Sequence, residues 1–117
     1  MLNFGSKQVY LACGQTDMRK SINGLAAMVE GSFGLDPFED ALFVFCNRNR
    51  DRIKILEWDS DGFWLYFKRL ERGRFRWPSA EESHTMTLSG EELYLLLGTP
   101  KVLQKLKRQE LKVRGVI

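Results

Sequence analysis

Two strand-length runs rich in Ile, Leu, Trp, Tyr and Phe, Arg52 to Asp59 and Phe63 to Glu71, flank the turn residues Ser60-Asp61-Gly62. Nothing else in the chain narrows its fold as much. Aromatic and β-branched runs on either side of such a turn specify an antiparallel hairpin. The wider run from Arg48 to Pro78 carries all three tryptophans and nine of the eighteen Lys and Arg residues. Rings interleaved with cations on a strand period can fill a small core or face phosphates and bases.

Register decides which face each side chain takes, because a slip of one residue moves it to the other side of the sheet. With Asp61-Gly62 as a two-residue loop, Trp58 opposes Leu65 and Lys54 opposes Arg69, which mixes charged and apolar residues on both faces. With Ser60-Asp61-Gly62 as a three-residue loop and Gly62 left-handed, Trp58 opposes Trp64, Leu56 opposes Tyr66 and Lys54 opposes Lys68. The second register is expected because it separates the faces. Ile53, Ile55, Phe63, Leu65 and Phe67 then form a core face, and Arg52, Lys54, Trp58, Trp64, Tyr66, Lys68 and Arg72 form the other. Opposed lysines are destabilising unless an anion lies across them, and nucleic acid supplies one. The alternative is that the C-terminal helices cover Trp58, Trp64 and Tyr66 as a second small core.

The rest of the chain arranges itself around this hairpin. Lys7 to Cys13 and Ala41 to Asn47 read as strands. Asp17 is expected to cap a helix from about Met18 to Ser32, on which Ile22, Leu25, Ala26, Val29 and Phe33 make an apolar stripe. Arg19 and Lys20 would then oppose the dipole of its first turn, a placement that can mark an anion site. Gly34 to Phe38 is a loop, and Arg48 to Asp51 is a polar turn. Phe75 to Trp77 and Thr85 to Leu88 are candidate edge strands. Ser89 and Glu92 form a capping box for a short leucine-bearing helix that ends at Gly98. A last, basic helix is expected from Pro100 to about Lys112. The fold class is α+β: an antiparallel β-meander packed on an amphipathic helix, with short C-terminal helices. A chain of 117 residues makes one domain, with a core over about 7–97 and a basic tail over 100–117.

Charge is uneven along this length. The formal net charge is +3. Residues 48–76 carry nine cations against five acids and residues 101–117 six against one, while 77–100 carry only acids. Such clustering points to an anionic partner or to a solvated surface. No apolar stretch approaches the roughly 20 residues that span a bilayer, and no signal-peptide pattern opens the chain, so a cytoplasmic protein is expected. Cys13 and Cys46 each lie in an apolar run and are expected to be buried and reduced. With a single histidine, His84, and no Cys-x-x-Cys pair, no metal site and no cofactor is expected. Asp51, Asp59 and Asp61 suit a metal-dependent nuclease, but turn chemistry accounts for them better. No nucleophile elbow, phosphate loop or dinucleotide fingerprint is present, so the chain is read as no enzyme.

Several motifs in fixed order carry a resemblance. They are Val9-Tyr-Leu-Ala-Cys-Gly-Gln-Thr-Asp-Met-Arg-Lys-Ser-Ile-Asn-Gly-Leu-Ala26, Leu35-Asp-Pro-Phe38, Leu42-Phe-Val-Phe-Cys-Asn-Arg48, Asp51-Arg-Ile-Lys-Ile-Leu56, Trp58-Asp-Ser-Asp-Gly-Phe-Trp64 and Lys68-Arg-Leu-Glu-Arg-Gly-Arg-Phe-Arg-Trp-Pro78. Together they resemble the TnpB accessory proteins of insertion-sequence family sixty-six. The resemblance implies a bacterial mobile-element protein that acts beside a separate DDE transposase without cutting DNA itself, and it brings no catalytic residues. The expected partners are DNA, the transposase and another accessory protein. On the residues themselves, the candidate nucleic-acid contacts are Arg48, Arg50, Arg52, Lys54, Trp58, Trp64, Tyr66, Lys68, Arg69, Arg72, Arg74 and Arg76. A protein-interaction module without DNA contact is the alternative.

Overall fold

The computed structural model describes residues 7–81 and 83–98, so the expected helix after Pro100 and the basic tail lie outside the described residues. Five strands and two helices follow in the order β1 (Gln8–Ala12), α1 (Ile22–Gly31), β2 (Ala41–Cys46), β3 (Arg52–Asp59), β4 (Gly62–Arg69), β5 (Thr85–Leu88) and α2 (Gly90–Leu97). The sheet runs β4-β3-β2-β1-β5, an α+β architecture. β2, β3 and β4 form the antiparallel meander. β1 lies parallel to β2, joined to it through α1, and its other edge is closed by antiparallel β5.

Helices cover both faces of this sheet. α1 lays Leu25 and Val29 against Ala12, Phe43, Phe45 and Leu56, and α2 sets Leu93 against Val9, Leu42, Val44, Cys46, Ile53 and Ile55. β2 is consequently buried at all six positions, as an uninterrupted Ala-Leu-Phe-Val-Phe-Cys run requires. Phe75 and Trp77 join the α2 side as an extended segment rather than the expected edge strand. The Trp77 indole N–H donates to the Ala12 carbonyl at 2.9 Å, which fastens that segment across the end of β1.

The hairpin closes in neither of the two expected registers. Asp59 pairs with Gly62, so the loop is Ser60-Asp61, and Trp58 opposes Phe63, Lys54 opposes Phe67 and Ile53 opposes Lys68. Ser60 takes the left-handed conformation, at φ 49°, and Gly62 stays on the strand. The two faces are thereby reassembled. Lys54, Leu56, Trp58, Phe63, Leu65 and Phe67 share the α1 side by strand alternation, while Ile53, Ile55, Glu57, Trp64, Tyr66 and Lys68 share the α2 side. The expected division into a core face and a binding face assumed that one side stayed open. With a helix on each side, apolar residues belong on both.

α1 also begins later than expected, at Ile22 with Ser21 as its N-cap. Asp17 instead makes a local turn, accepting the Arg19 N–H at 2.9 Å, and its carbonyl accepts the Lys20 N–H at 3.1 Å. The reason is distant in sequence. Lys54 Nζ donates to the Met18 and Lys20 carbonyls, both at 2.8 Å, and so holds two groups that a longer helix would use internally. Arg19 forks onto the Asp17 carboxylate, and these bonds pull the Asp17 pKa down to about 2. Neither Arg19 nor Lys20 stands in the first turn of α1, so the expected conflict with its dipole does not arise. The capping box of α2 is as expected: Ser89 Oγ accepts the Glu92 N–H and Glu92 Oε1 accepts the Ser89 N–H, each at 3.1 Å.

Both cysteines are free thiols. Cys46 is buried, and burial pushes its pKa up to about 12; Cys13 is half-buried and its thiol is raised in the same direction. Because the thiolate is the reactive form, a haloacetamide should modify Cys13 before Cys46 in the folded protein, and both at similar rates in denaturant. Peptide mapping over time reads this directly; equal rates in the native state would contradict the burial of Cys46.

Candidate nucleic-acid interface

The cations of the hairpin collect at its open end. The Arg48-Asn49 turn is stapled by Asn47, whose side-chain oxygen accepts the N–H groups of Asp51 and Arg52 at 3.0 Å and whose amide donates to Asp51 Oδ1 at 2.7 Å. That amide bond leads the interactions that hold the Asp51 carboxyl below its usual range, with the charges of Arg52 and Arg74 adding to it. Beyond β4 the chain turns back at Gly73, whose φ of 76° is open to glycine at little cost. It then runs extended beside the Arg48 turn, with the Phe75 N–H donating to the Arg50 carbonyl at 2.7 Å. Alternation in this segment buries Phe75 and half-buries Trp77 while Arg74 and Arg76 project into solvent.

Lys68, Arg72, Arg74 and Arg76 line a groove of about 510 Å³ whose remaining wall is Leu70, Gly73, Phe75 and the C-terminal end of α2, Leu95 to Gly98. Among the described residues, no acidic side chain lines it. Glu91 and Glu92 stand in the first turn of α2, and Glu92 lines an adjoining pocket with Arg76, Leu95 and Leu96. Among the described residues, Arg48, Arg50, Lys68, Arg72, Arg74 and Arg76 form no ion pair, whereas Arg52 reaches Asp51 at 3.3 Å and Arg69 holds Glu71 at 2.7 Å. At the other end of the hairpin, Asp59 and Asp61 make the turn acidic. Asp51 lies just beyond the far end of the ladder, eight residues from Asp59, so the three aspartates do not converge on one cation site.

Four of the expected contacts are thus placed elsewhere. Lys54 spends its ammonium on the Met18 and Lys20 carbonyls and faces Phe67, not Lys68. Trp58 packs edge-on to Phe38 and Phe63, with ring centroids 5.0 Å apart in both pairs. Tyr66 donates its hydroxyl to Glu57 Oε1 at 2.8 Å. Trp64 is exposed, stacks on Tyr66 at 6.3 Å and donates to Asp59 Oδ2 at 3.0 Å, so its ring lies beside the acidic turn rather than the arginines. The other eight gather at or near the open end.

Sequence reasoning missed the polar centre beneath Tyr66. Glu57 is 7% exposed, yet its carboxylate receives both Tyr66 and Lys7 Nζ, the latter at 2.6 Å, and Lys7 also reaches Asp40 at 2.9 Å. A lone acid within Ile-Lys-Ile-Leu-Glu-Trp was its only signal. Burial and the bond to Glu57 push the Tyr66 hydroxyl up to about 12 from an ordinary 10.0. The protonated phenol is the form the fold favours, so its contribution is complete below pH 10 and lost as pH rises toward 12. Tyrosinate absorbance should include a late-titrating component that is absent from Tyr66→Phe. A titration curve identical in the two proteins would contradict the assignment.

The profile of the family described as IS66 Orf2-like protein matches residues 7–107. Two uncharacterised proteins of Sinorhizobium fredii (strain NBRC 101917 / NGR234) are similar along most of their length. One, y4hO, is 41% identical over 91 residues, 78% of this chain and 79% of that one; the other, y4jC, is 33% identical over 90 residues, 77% and 76%. No solved structure gives a significant match. No helix among the described residues is long and apolar enough to cross a membrane. With the profile spanning residues 7–107, and so every strand and helix among the described residues, the chain belongs to the IS66 Orf2-like family of insertion-sequence proteins.

Proposed function

We propose that this protein is a non-catalytic accessory factor of transposition that binds element DNA in the cytoplasm, through phosphate contacts at the open end of the β3–β4 hairpin. One observation carries the reading: six cations that form no ion pair among the described residues, Arg48, Arg50, Lys68, Arg72, Arg74 and Arg76, border one end of the sheet and its groove. Cations that neutralise phosphates release condensed counterions, so affinity falls linearly in log–log form with salt, with a slope of about −0.9 per contact on duplex DNA. Six contacts give a slope of about −5. Isotherms on element-end duplex over a salt series test this, and an affinity insensitive to salt overturns it.

The apolar floor of the groove, Leu70, Phe75, Leu95 and Leu96, favours a second reading in which the DDE transposase or another accessory protein docks there. Pull-down of the transposase from nuclease-treated lysate, by a protein that shows no salt-dependent DNA binding, would select that reading over the first.

A further inference from the structure

The sheet has two edges of unequal character. β5 closes one with four residues, while β4 offers eight along the other. Natural edge strands are kept from pairing by shortness, proline or charge. In β4 charge is confined to Lys68 and Arg69, and the five residues Phe63 to Phe67 carry none. Trp64 and Phe67 are 55% and 56% exposed, one on each side of the sheet.

Backbone phase defines what this edge presents. The Leu70 N–H donates to the Asp51 carbonyl at 2.7 Å, one step beyond the Arg52–Arg69 pair. Carried along the antiparallel ladder, that phase makes Ile53–Lys68, Ile55–Tyr66, Glu57–Trp64 and Asp59–Gly62 the hydrogen-bonded pairs. Phe63, Leu65, Phe67 and Arg69 therefore turn their N–H and C=O groups outward. Among the described residues these groups have no other backbone partner.

We propose that β4 pairs antiparallel with β4 of a second copy of this chain, about a two-fold axis through Leu65, joining two five-stranded sheets into one. A two-fold normal to the sheet keeps like faces on the same side, so it pairs odd residues with odd and even with even. Centred on Leu65, it sets Phe63 opposite Phe67, Trp64 opposite Tyr66 and Asp61 opposite Arg69. Aromatic cross-strand pairs and opposite charges both stabilise a sheet, and the symmetry supplies each twice. The neighbouring registers are poorer. Centring on Tyr66 sets Trp64 against Lys68 and Phe63 against Arg69, and centring on Trp64 sets Phe67 against Asp61. Arg69 must exchange Glu71 for Asp61, an inexpensive step for an exposed pair. The α2 sides of both copies then face the same way. Their Lys68 residues stand six residues apart along the strand direction, roughly 20 Å.

Sedimentation equilibrium over a concentration series tests the pairing, with an expected limiting mass of twice 13.6 kDa. Phe67→Pro removes an outward N–H that the β3 ladder does not use, so it should give a monomer with an unchanged far-UV circular dichroism spectrum. Asp61→Arg and Arg69→Asp should each weaken association and together restore it, which reads the same contact if the proline variant fails to fold. A wild-type protein that stays monomeric at every concentration overturns the proposal. So does a dimer that survives Phe67→Pro, or a charge exchange that fails to restore association.

Discussion

Substituting Arg72, Arg74 and Arg76 together by alanine should lower affinity for element-end duplex roughly a hundredfold, at about 1 kcal/mol for each lost phosphate contact. The salt slope should fall by about 3 at the same time, because three counterions fewer are released. These three residues are the appropriate ones because the structure separates their charge from the core. Arg74 and Arg76 project from a segment that Phe75 and Trp77 anchor, so removing the guanidinium groups leaves the packing intact. Lys54→Met gives the contrast. Its ammonium is committed to the Met18 and Lys20 carbonyls, so its loss should loosen the turn that precedes α1 and leave the salt slope unchanged. Equal slopes for the triple variant and the parent protein would remove these arginines from the interface.

Glu57→Ala should destabilise the fold by about 3 kcal/mol, measured as a shift of the urea midpoint at unchanged m-value. Removing the carboxylate strands Lys7 and the Tyr66 hydroxyl at once, and a buried donor left without its acceptor loses its solvation without return. Lys7 keeps Asp40 and some access to water, which holds the cost toward the lower end for a broken buried pair. Tyr66→Phe should cost about 1 kcal/mol alone and less in the Glu57→Ala background, since the second change then removes a bond already lost. Additive costs would show that Glu57 and Tyr66 do not act together.

The elements of this fold are readable from local chemistry, and their partners are not. Alternation in Gln8–Ala12 and Arg52–Asp59, the unbroken apolar run of Ala41–Cys46 and the Ser89–Glu92 box each identify an element within a few residues. Faces and registers depend on groups far apart in sequence. Turn rules assign Gly62 to the loop because glycine is the cheapest left-handed residue, yet Ser60 takes that conformation and shifts every pair along β3 and β4. Asp17 has the chemistry of a helix cap, and Lys54, thirty-six residues from Met18, prevents the helix from reaching it. The full burial of β2 was the available signal that both faces are covered. A run of six apolar residues without alternation leaves no side for water, and so no bare binding face on the strands beside it. Of the candidate site, the arginines were legible as a cluster, whereas the groove needs the end of α2 to complete it.

The position of β1 has a consequence for how the chain assembles. β1 is made first, yet it is an interior strand, with Val9 set between Leu42 on one side and Leu88 on the other. On the ribosome the β3–β4 hairpin can close as soon as it emerges, because its contacts are local. β1 must wait for β5, nearly the whole described chain later. A polypeptide interrupted between β4 and β5 would hold its most apolar strands in a sheet with two open edges and one uncovered side. Such fragments are prone to aggregate, so a truncated element would yield an insoluble product rather than a partly active one.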